Sequence, residues 1–319
     1  MVVAAPSAAQ LRDARRAIRG IAIRTPLVPL NGYDGPGGIF LKLENLQPIG
    51  SFKIRAAANA IAHVAPGELS RGVVTASAGN MGQAVAWEAR RRSIACTVVV
   101  PDTAPEAKLD GLRRLGAQII AVPFDRWWST LADRSYPGVE GTFIHPFDDE
   151  HVLAGDATIG LEIAEDLPHV DTVLVPWGGG GLSTGIASAI KAVKPTTRVF
   201  AVEVEGAAPL APSLEAGQPM AIEYRPSFVD GIGSKTVFAN MLELARRHLD
   251  GSLVTTADEV AKAVRLLVMR NHVVAEGAGA TALAVALSGL AGTGQIVCVV
   301  SGGNLDAHKL SEILQSRTP

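Results

Sequence analysis

Hydrophobic and polar positions along this chain follow two alternating periods. Short apolar runs such as VVTAS (73–77) and TVLVPWG (172–178) have the length and β-branched content of buried strands. Each of these runs precedes a segment with apolar residues at helical spacing, namely MGQAVAWEARRR and LSTGIASAIKAV. Strands that alternate with helices predict an α/β fold with parallel sheets and right-handed crossovers.

The same pattern predicts elements along most of the chain. Strands are expected at 38–45, 73–77, 95–101, 117–123, 141–146, 172–178, 198–204 and 295–303. Helices are expected at 11–18 (capped by Ser7), 52–64 (capped by Ser51), 81–92, 105–116, 125–134, 150–167, 182–193, 257–270, from 279, and at the C-terminus. Between about 207 and 252, four prolines interrupt the alternation, which predicts loops with short helices.

Composition narrows the class of protein. At about 150 residues per domain, 319 residues indicate two domains or one large one. The net charge of −2 argues against nucleic acid or a membrane surface as the partner. The uncharged stretch 277–294 is predicted to be a buried helix. Cys96 and Cys298 lie in apolar runs and are predicted to be buried reduced thiols, and the N-terminal segment lacks a signal-peptide pattern, so a cytoplasmic protein is expected.

The loop with the clearest chemical signal is the glycine run 178–181, which follows a predicted strand and opens a helix. Residues without a Cβ allow several backbone N–H groups to approach one anion, and the helix dipole adds to the attraction. The spacing is not that of a nucleoside-triphosphate P-loop, and Glu203 and Glu205 leave only a weak dinucleotide alternative. The run therefore predicts a phosphate site, with tight strand–helix packing as the alternative.

Three further loops carry candidate groups. The segment SAGNMGQA (77–84) offers a hydroxyl, close backbone amides and a side-chain amide, and it predicts either a helix cap or a carboxylate site. Lys53, in QPIGSFKIR (47–55), lies in the first turn of a predicted helix. It is either a solvated lysine or a desolvated amine that forms a Schiff base. Ser301 ends the last predicted strand, where its hydroxyl can meet a ring nitrogen.

Together these segments resemble the fold-type II pyridoxal-phosphate (PLP) enzymes, in the threonine/serine dehydratase and serine racemase branch. The resemblance covers nearly the whole chain and includes LKLENLQPIGSFKIRAA, SAGNMGQA, GGGGLSTG and SGGN in family order. It implies two open, twisted, mostly parallel sheets flanked by helices, as in the tryptophan-synthase-β-like fold. A small domain (53–144) is expected to be inserted in a large PLP-binding domain (1–52 and 145–319).

The resemblance also implies a role for each motif residue. Lys53 is expected to hold the cofactor as a Schiff base and to act as the catalytic base. The implied cofactor-binding residues are Phe52, Lys53, Asn80, Gly178, Gly179, Gly180, Gly181, Leu182, Glu276 and Ser301. The implied substrate-binding residues are Ser77, Ala78, Gly79, Asn80 and Met81. A homodimer is expected because members of the family commonly form one.

Two residues favour elimination over racemisation. Ser301 is neutral, so it does not stabilise a protonated pyridine nitrogen as a carboxylate does, and prompt loss of a β-leaving group becomes the easier path. Ala78 stands where the racemase branch carries a serine, and alanine has no proton to donate on the face opposite the lysine. The sequence therefore predicts dehydration and deamination of L-threonine, L-serine or a related β-hydroxy amino acid to a 2-oxo acid and ammonia.

The chain also departs from the family pattern. Met81 replaces a histidine, and Asp156 and Ala157 replace a Gln-Gly pair. Trp127 and Trp128 are either packing residues or the wall of a pocket for an aryl-substituted serine. Because Pro209 stands where the branch places a second acid after Glu203, no divalent metal site is expected. An amino-acid racemase and a non-catalytic PLP- or phosphate-binding protein remain as alternative functions.

Overall fold

A computed structural model describes residues 3–319. The elements in chain order are α1 (Ala8–Ala17), β1 (Leu27–Pro29), β2 (Ile39–Lys42), α2 (Lys53–Ala62), α3 (Pro66–Leu69), β3 (Val73–Ala76), α4 (Asn80–Arg92), β4 (Cys96–Pro101), α5 (Glu106–Arg114), β5 (Gln118–Val122), α6 (Phe124–Asp133), β6 (Thr142–Phe143), α7 (Glu150–Asp166), β7 (Thr172–Pro176), α8 (Gly181–Val193), β8 (Arg198–Val204), α9 (Leu210–Ala216), α10 (Ala239–His248), β9 (Ser252–Thr255), α11 (Ala257–Leu266), α12 (Gly277–Ser288), β10 (Ile296–Val299) and α13 (Ala307–Leu314).

Two separate sheets organise these elements. The larger has six strands in the order β1-β2-β10-β7-β8-β9, and only the β1–β2 pair is antiparallel. The smaller has four parallel strands in the order β5-β4-β3-β6. The predicted α/β class with two mostly parallel sheets is therefore confirmed.

The smaller sheet is an insertion in the chain path of the larger one. All of its strands lie between Val73 and Phe143, whereas β1 and β2 of the larger sheet precede them and the other four strands follow. This topology is compatible with the predicted inserted domain. The boundaries at residues 52–53 and 144–145 stay a prediction.

Buried apolar strands and helices form the core around both sheets. Strand β4 is buried along CTVVV, and the uncharged segment after Glu276 forms helix α12, which is buried from Gly277 to Ala286. Cys96 and Cys298 are buried and unpaired, as predicted. Helix α1 begins with the expected cap, in which Ser7 and Gln10 form a capping box. Among residues 3–319, no helix is both long and apolar enough to cross a membrane.

Several element boundaries differ from those predicted. The strand expected at 38–45 ends at Lys42 and continues as a 3₁₀ turn (Glu44–Leu46), and the strand expected at 141–146 retains only two residues. The short strands β1 and β9 were not predicted, because three or four half-buried residues show too little periodicity. The predicted cap of α2 is displaced, since Phe52 occupies the N-cap position and the Ser51 hydroxyl accepts a bond of 3.4 Å from the Lys53 N–H.

Candidate active site

A cavity of about 240 Å³ lies where the carboxyl ends of strands β3, β7 and β10 meet. This is the edge at which parallel α/β sheets bind ligands. Its lining includes most of the predicted site residues: Phe52, Lys53, Ser77, Gly79, Asn80, Met81, Gly178, Gly179, Gly180, Gly181, Leu182, Glu276 and Ser301. Ala78 is not part of this lining, so its predicted contact with substrate stays a prediction.

The glycine loop presents free backbone donors to the cavity. Within residues 3–319, the N–H groups of residues 178–182 donate to no protein acceptor. Side chains are sterically excluded from the loop, because a Cβ on Gly179 would lie 2.1 Å from the Phe147 ring and one on Gly180 would lie 2.5 Å from Trp177. A row of unpaired amides at the N-terminus of α8 suits a phosphate group.

Lys53 lies in the first turn of α2 with its amine at the cavity. Its Nζ donates a 2.6 Å hydrogen bond to the carbonyl of Pro146 and lies 4.9 Å from the centre of the Phe52 ring. Burial lowers the pKa of the Lys53 amine below its usual value, and the nearby Asp156 carboxylate partly opposes this shift. The geometry favours the desolvated amine over the solvated lysine, and it suits the Schiff-base lysine of a PLP site.

A buried cluster of charged groups fixes the start of α2. Arg55 is fully buried and pairs with Glu44 at 2.9 Å and with Glu162 at 2.7 Å. Lys42 joins the cluster through a 2.6 Å bond to Glu162. These contacts connect β2, α2 and α7, and they hold the helix that carries Lys53. This cluster could not be predicted from the sequence, since the spacing of these charges along the chain gives no sign that they meet.

Asn80 lines the cavity and belongs to a chain of hydrogen bonds. Its Nδ2 donates to Glu276 at 2.8 Å, and its Oδ1 accepts a 2.8 Å bond from Nδ2 of Asn304. Burial raises the pKa of Glu276 to about 7, although the bond from Asn80 lowers it. Asn304 was not singled out in the sequence analysis, although it ends the SGGN motif, and it fixes the orientation of the Asn80 amide.

The loop between β3 and α4 offers a second set of free amides. The Gly79 N–H donates to the Ser77 hydroxyl at 3.3 Å, whereas the N–H groups of Ala78, Asn80 and Met81 have no acceptor among residues 3–319. Such a group of donors at a helix N-terminus suits a carboxylate. Met81 is almost fully buried and forms part of the cavity wall.

Ser301 lies two residues beyond the end of β10 and lines the cavity. The residue is buried, and its carbonyl accepts a 3.0 Å bond from the N–H of Phe52. This bond ties the last strand of the larger sheet to the residue before Lys53. The amine, the neutral hydroxyl and the glycine cradle therefore share one cavity, and together they fit the reactive aldehyde, ring and phosphate of PLP.

Aromatic side chains form the remaining wall of the cavity. Trp127 and Trp128 both line it, together with Phe147 and Phe238. Ring centres are 5.4 Å apart for Trp128 and Phe238 and 5.1 Å apart for Phe147 and Phe238. The tryptophan pair thus packs and lines the pocket at once. Phe147 and Phe238 were not predicted as site residues, because a single phenylalanine in a loop gives no local sign of the cavity that it lines.

Two carboxylates outside the lining have contrasting environments. Asp156 is fully buried, neither of its oxygens has a hydrogen-bond partner among residues 3–319, and burial raises its pKa to about 7. Glu203 accepts bonds from the N–H groups of Leu210 and Ala211 and from the Ser252 hydroxyl. In the part of the chain that the structure describes, no three His, Cys, Asp or Glu side chains cluster as metal ligands would.

Comparisons with known proteins identify relatives that are similar in sequence and in fold over nearly the whole chain. The L-threonine ammonia-lyase of Thermotoga maritima is 41% identical over 310 residues, which are 95% of this chain and 77% of that protein. The catabolic L-threonine dehydratase of Staphylococcus aureus is 35% identical over 97% of this chain and 92% of its own. The structure of maize serine racemase superposes with a TM-score of 0.90 at 30% identity and covers 98% of both chains.

The family profile "Pyridoxal-phosphate dependent enzyme" matches residues 18–302, which is most of the chain. The match includes all of the motifs around the cavity, from Phe52 to Ser301. The protein therefore belongs to the family of pyridoxal-phosphate dependent enzymes.

Proposed function

We propose that this enzyme is an ammonia-lyase that converts L-threonine, L-serine or a related β-hydroxy amino acid to a 2-oxo acid and ammonia. The observation that carries the proposal is that Lys53 shares one cavity with two loops, 178–182 and 77–81, whose backbone amides are largely without acceptors among residues 3–319. The first loop suits a phosphate and the second a carboxylate. The names of the Thermotoga and Staphylococcus relatives point to the same reaction.

When bound, PLP supplies an electron-accepting ring that stabilises negative charge on the α-carbon of an amino acid. The residues of the chain then have separate tasks. The amides of residues 178–182 hold the phosphate, and the amides and hydroxyl of the Ser77 loop orient the substrate carboxylate. Phe52, Asn80 and Glu276 line the same cavity and would contact the ring of the bound cofactor.

Lys53 is the base of the reaction. The lowered pKa of the buried amine increases its neutral fraction at physiological pH, and a neutral amine accepts the α-proton. The carbonyl of Pro146 holds the amine 2.6 Å away and so fixes its direction. Proton removal on one side of the substrate is enough for loss of the β-hydroxyl, and hydrolysis of the released product gives the 2-oxo acid and ammonia.

Ser301 and Ala78 support elimination as the main outcome. If the Ser301 hydroxyl meets the ring nitrogen of bound PLP, this neutral group would stabilise charge in the ring less than a carboxylate would, which favours loss of the β-hydroxyl. Alanine supplies no second proton donor for inversion at the α-carbon. The racemase alternative differs by one measurable product, which is the opposite enantiomer of the substrate.

Turnover of a panel of β-hydroxy amino acids tests the proposal. Purified holoenzyme is incubated with L-threonine, L-serine and their bulkier analogues, and 2-oxo acid, ammonia and the enantiomer ratio of the remaining substrate are measured. We expect equal amounts of 2-oxo acid and ammonia with little inversion. Inverted substrate without 2-oxo acid would support the racemase instead, and no turnover of any substrate would contradict catalysis on β-hydroxy amino acids.

Borohydride reduction tests the assignment of Lys53. Peptide mapping after reduction should locate the cofactor on the peptide that contains Lys53, and Lys53→Ala should abolish both the label and turnover. Lys235→Ala is the matched control, because Lys235 lies over the Phe124 ring and outside the cavity lining. A label on another lysine in the unsubstituted protein would overturn the assignment.

We also propose a cytoplasmic homodimer. Two buried cysteines without a disulfide suit a reducing compartment. Exposed apolar residues such as Met269 and Leu290 are candidates for a subunit contact. Light scattering of the purified holoenzyme should give twice the mass of one chain, and the mass of a monomer would contradict the dimer.

A further inference from the structure

The aromatic wall of the active-site cavity points to a substrate class. We propose that the preferred substrate is a β-hydroxy amino acid with an aromatic side chain, of the 3-phenylserine type, rather than L-threonine or L-serine. This inference rests on the proposed function, because it concerns the side chain of the same substrate. It depends on the aromatic residues in the cavity lining and on the small number of charged side chains in that lining.

The wall begins next to the reacting groups. Phe147 directly follows Pro146, whose carbonyl holds the Lys53 amine at 2.6 Å. The Phe147 ring packs so closely against the glycine loop that a Cβ on Gly179 would lie 2.1 Å from it. Phe147 therefore brings an aromatic ring to the same cavity as the Lys53 amine, one residue after the carbonyl that this amine contacts.

From Phe147 the aromatic rings continue without a break. Phe147 and Phe238 meet edge to face at 5.1 Å, Phe238 and Trp128 lie 5.4 Å apart, and Trp128 and Trp127 lie 6.3 Å apart. All four of these residues line the cavity, and Leu131 and Val237 complete the apolar surface beside them. A phenyl group fits such a wall through the edge-to-face and offset contacts that aromatic rings prefer.

The charges of the cavity exclude other substrate classes. Among the described residues, Lys53 is the only cation in the lining and Glu276 the only carboxylate. Lys53 is required for the chemistry, and Glu276 accepts a hydrogen bond from Asn80. No cation is left for the second carboxylate of an acidic substrate, and no anion for a second amine. The charges of the lining therefore favour a neutral side chain, and the aromatic rings favour an apolar one.

The wall also discriminates between a methyl group and a phenyl group. A methyl group beside the β-carbon reaches little of the surface between Phe147 and Trp127, whereas a phenyl ring buries much more apolar area there. We expect kcat/KM for phenylserine to exceed that for L-threonine by roughly 30-fold, from the extra apolar area buried in the transition state.

The reaction balances without an oxidant or a reductant. The α-C–H and β-C–O bonds of phenylserine break, Lys53 takes the α-proton, and the hydroxyl takes up a proton and leaves as water. The enamine that remains gains a proton at the β-carbon and loses one from nitrogen to become an imine, and hydrolysis of this imine consumes one water and releases ammonia. The products are therefore phenylpyruvate and ammonia, in equal amounts.

Competing kinetics of the holoenzyme test the proposal. Phenylpyruvate and 2-oxobutyrate are measured from phenylserine and L-threonine under the same conditions. A higher kcat/KM for phenylserine supports the inference. Turnover of threonine at an equal or higher kcat/KM overturns it and leaves the proposed ammonia-lyase standing. No turnover of phenylserine, L-threonine or L-serine overturns both.

Substitutions in the wall separate its role from general stability. Trp128→Leu and Phe238→Leu should lower kcat/KM for phenylserine about tenfold while changing that for L-threonine less than twofold. The matched control is Phe124→Leu, because Phe124 contacts the tryptophan pair but is exposed and lies outside the lining. Trp128→Phe keeps an aromatic ring and should restore most of the preference. An unchanged ratio in both leucine variants contradicts the proposal.

A binding measurement gives a readout without turnover. L-Phenylalanine has the aromatic ring but no β-hydroxyl to eliminate, so its binding to the holoenzyme is followed by calorimetry and compared with that of L-alanine. We expect L-phenylalanine to bind at least tenfold more tightly, from the apolar area that it buries, and Trp128→Leu to remove most of this difference. Equal affinity for the two amino acids overturns the role of the wall.

Discussion

Two loops that occupy equivalent positions in their respective sheets line the same cavity but differ in their side chains. The loop Gly178–Leu182 follows β7 and opens α8, and the loop Ser77–Met81 follows β3 and opens α4. Both direct unpaired backbone amides toward the cavity. The first consists of glycines and one leucine, whereas the second carries a hydroxyl, an amide and a thioether.

The two N-cap glycines show the difference most clearly. Gly180 has φ +96°, a left-handed conformation, and a Cβ there would meet Trp177 at 2.5 Å. Gly79 has φ −95°, and a Cβ there would find its nearest neighbour, the Ser77 hydroxyl, 4.0 Å away. Glycine is thus required in the first loop both by its backbone conformation at Gly180 and by the rings packed against Gly179 and Gly180. The Ser77 loop leaves room for side chains, so it is where substrate recognition can vary.

The largest expected effect is that of Gly180→Ala. The added methyl group combines an unfavourable positive φ with a clash against Trp177, so the loop must shift and its amides lose their alignment. We expect cofactor affinity to fall by about 100-fold or more, and unfolding free energy to fall by about 1–3 kcal/mol. Equilibrium dialysis of PLP and urea unfolding measure the two effects. Affinity within threefold of the unsubstituted protein would contradict the cradle.

A smaller effect is expected for Asn80→Ala, which acts on the side chains of the second loop. It removes the donor to Glu276 and the acceptor of Asn304, and it leaves a buried carboxyl without its partner. We expect a stability loss of about 1–3 kcal/mol and roughly tenfold weaker cofactor binding. Asn304→Ala, which removes only the orienting contact, should show the same changes to a lesser degree. Identical losses in the two variants would contradict the orienting role of Asn304.

The pH dependence of stability sharpens the comparison at Glu276. Burial raises the pKa of Glu276 to about 7 in the folded protein. Between the ordinary pKa of a glutamate and about pH 7, Glu276 is therefore protonated in the folded protein and ionised in the unfolded chain. The contribution of Glu276 to stability is therefore present in acid and lost as pH rises through about 7. Relative to Glu276→Gln, the unsubstituted apoprotein should lose stability between pH 5 and pH 8.

Urea unfolding of the unsubstituted apoprotein and of Glu276→Gln, at pH 5 and at pH 8, tests this pH dependence. The glutamine variant keeps the size of the side chain and cannot ionise, so the difference between the two proteins isolates the carboxyl group. A difference that does not change with pH would contradict the raised pKa. If the unsubstituted protein instead gained stability relative to Glu276→Gln as pH rises, the folded protein would favour the charged form of Glu276.

The smallest effect is expected for Gly79→Ala, the counterpart of Gly180→Ala. With negative φ and open space around the added methyl group, cofactor affinity and unfolding free energy should change by less than about twofold and 0.5 kcal/mol. The same dialysis and urea measurements apply. A loss as large as that of Gly180→Ala would show that the two loops do not differ in their tolerance of side chains.

The sequence by itself determined the local features of this protein. The alternation of apolar runs and helical segments predicted the parallel α/β architecture, and the glycines at 178–181 marked a strand-to-helix turn that presents backbone amides. Lys53 was placed at the start of a helix by the same reasoning. These features depend on backbone conformation and side-chain period over a few residues, which local sequence encodes.

Only the tertiary structure decided which distant groups meet. Asn80 bonds to Glu276, which lies 196 residues further along the chain, and Asn304 bonds to Asn80 across 224 residues. The Arg55 cluster and the aromatic wall from Phe147 to Trp127 likewise join elements of separate parts of the chain. Contacts of this kind follow from how sheets and helices pack against one another, and the local pattern of a sequence does not specify that packing.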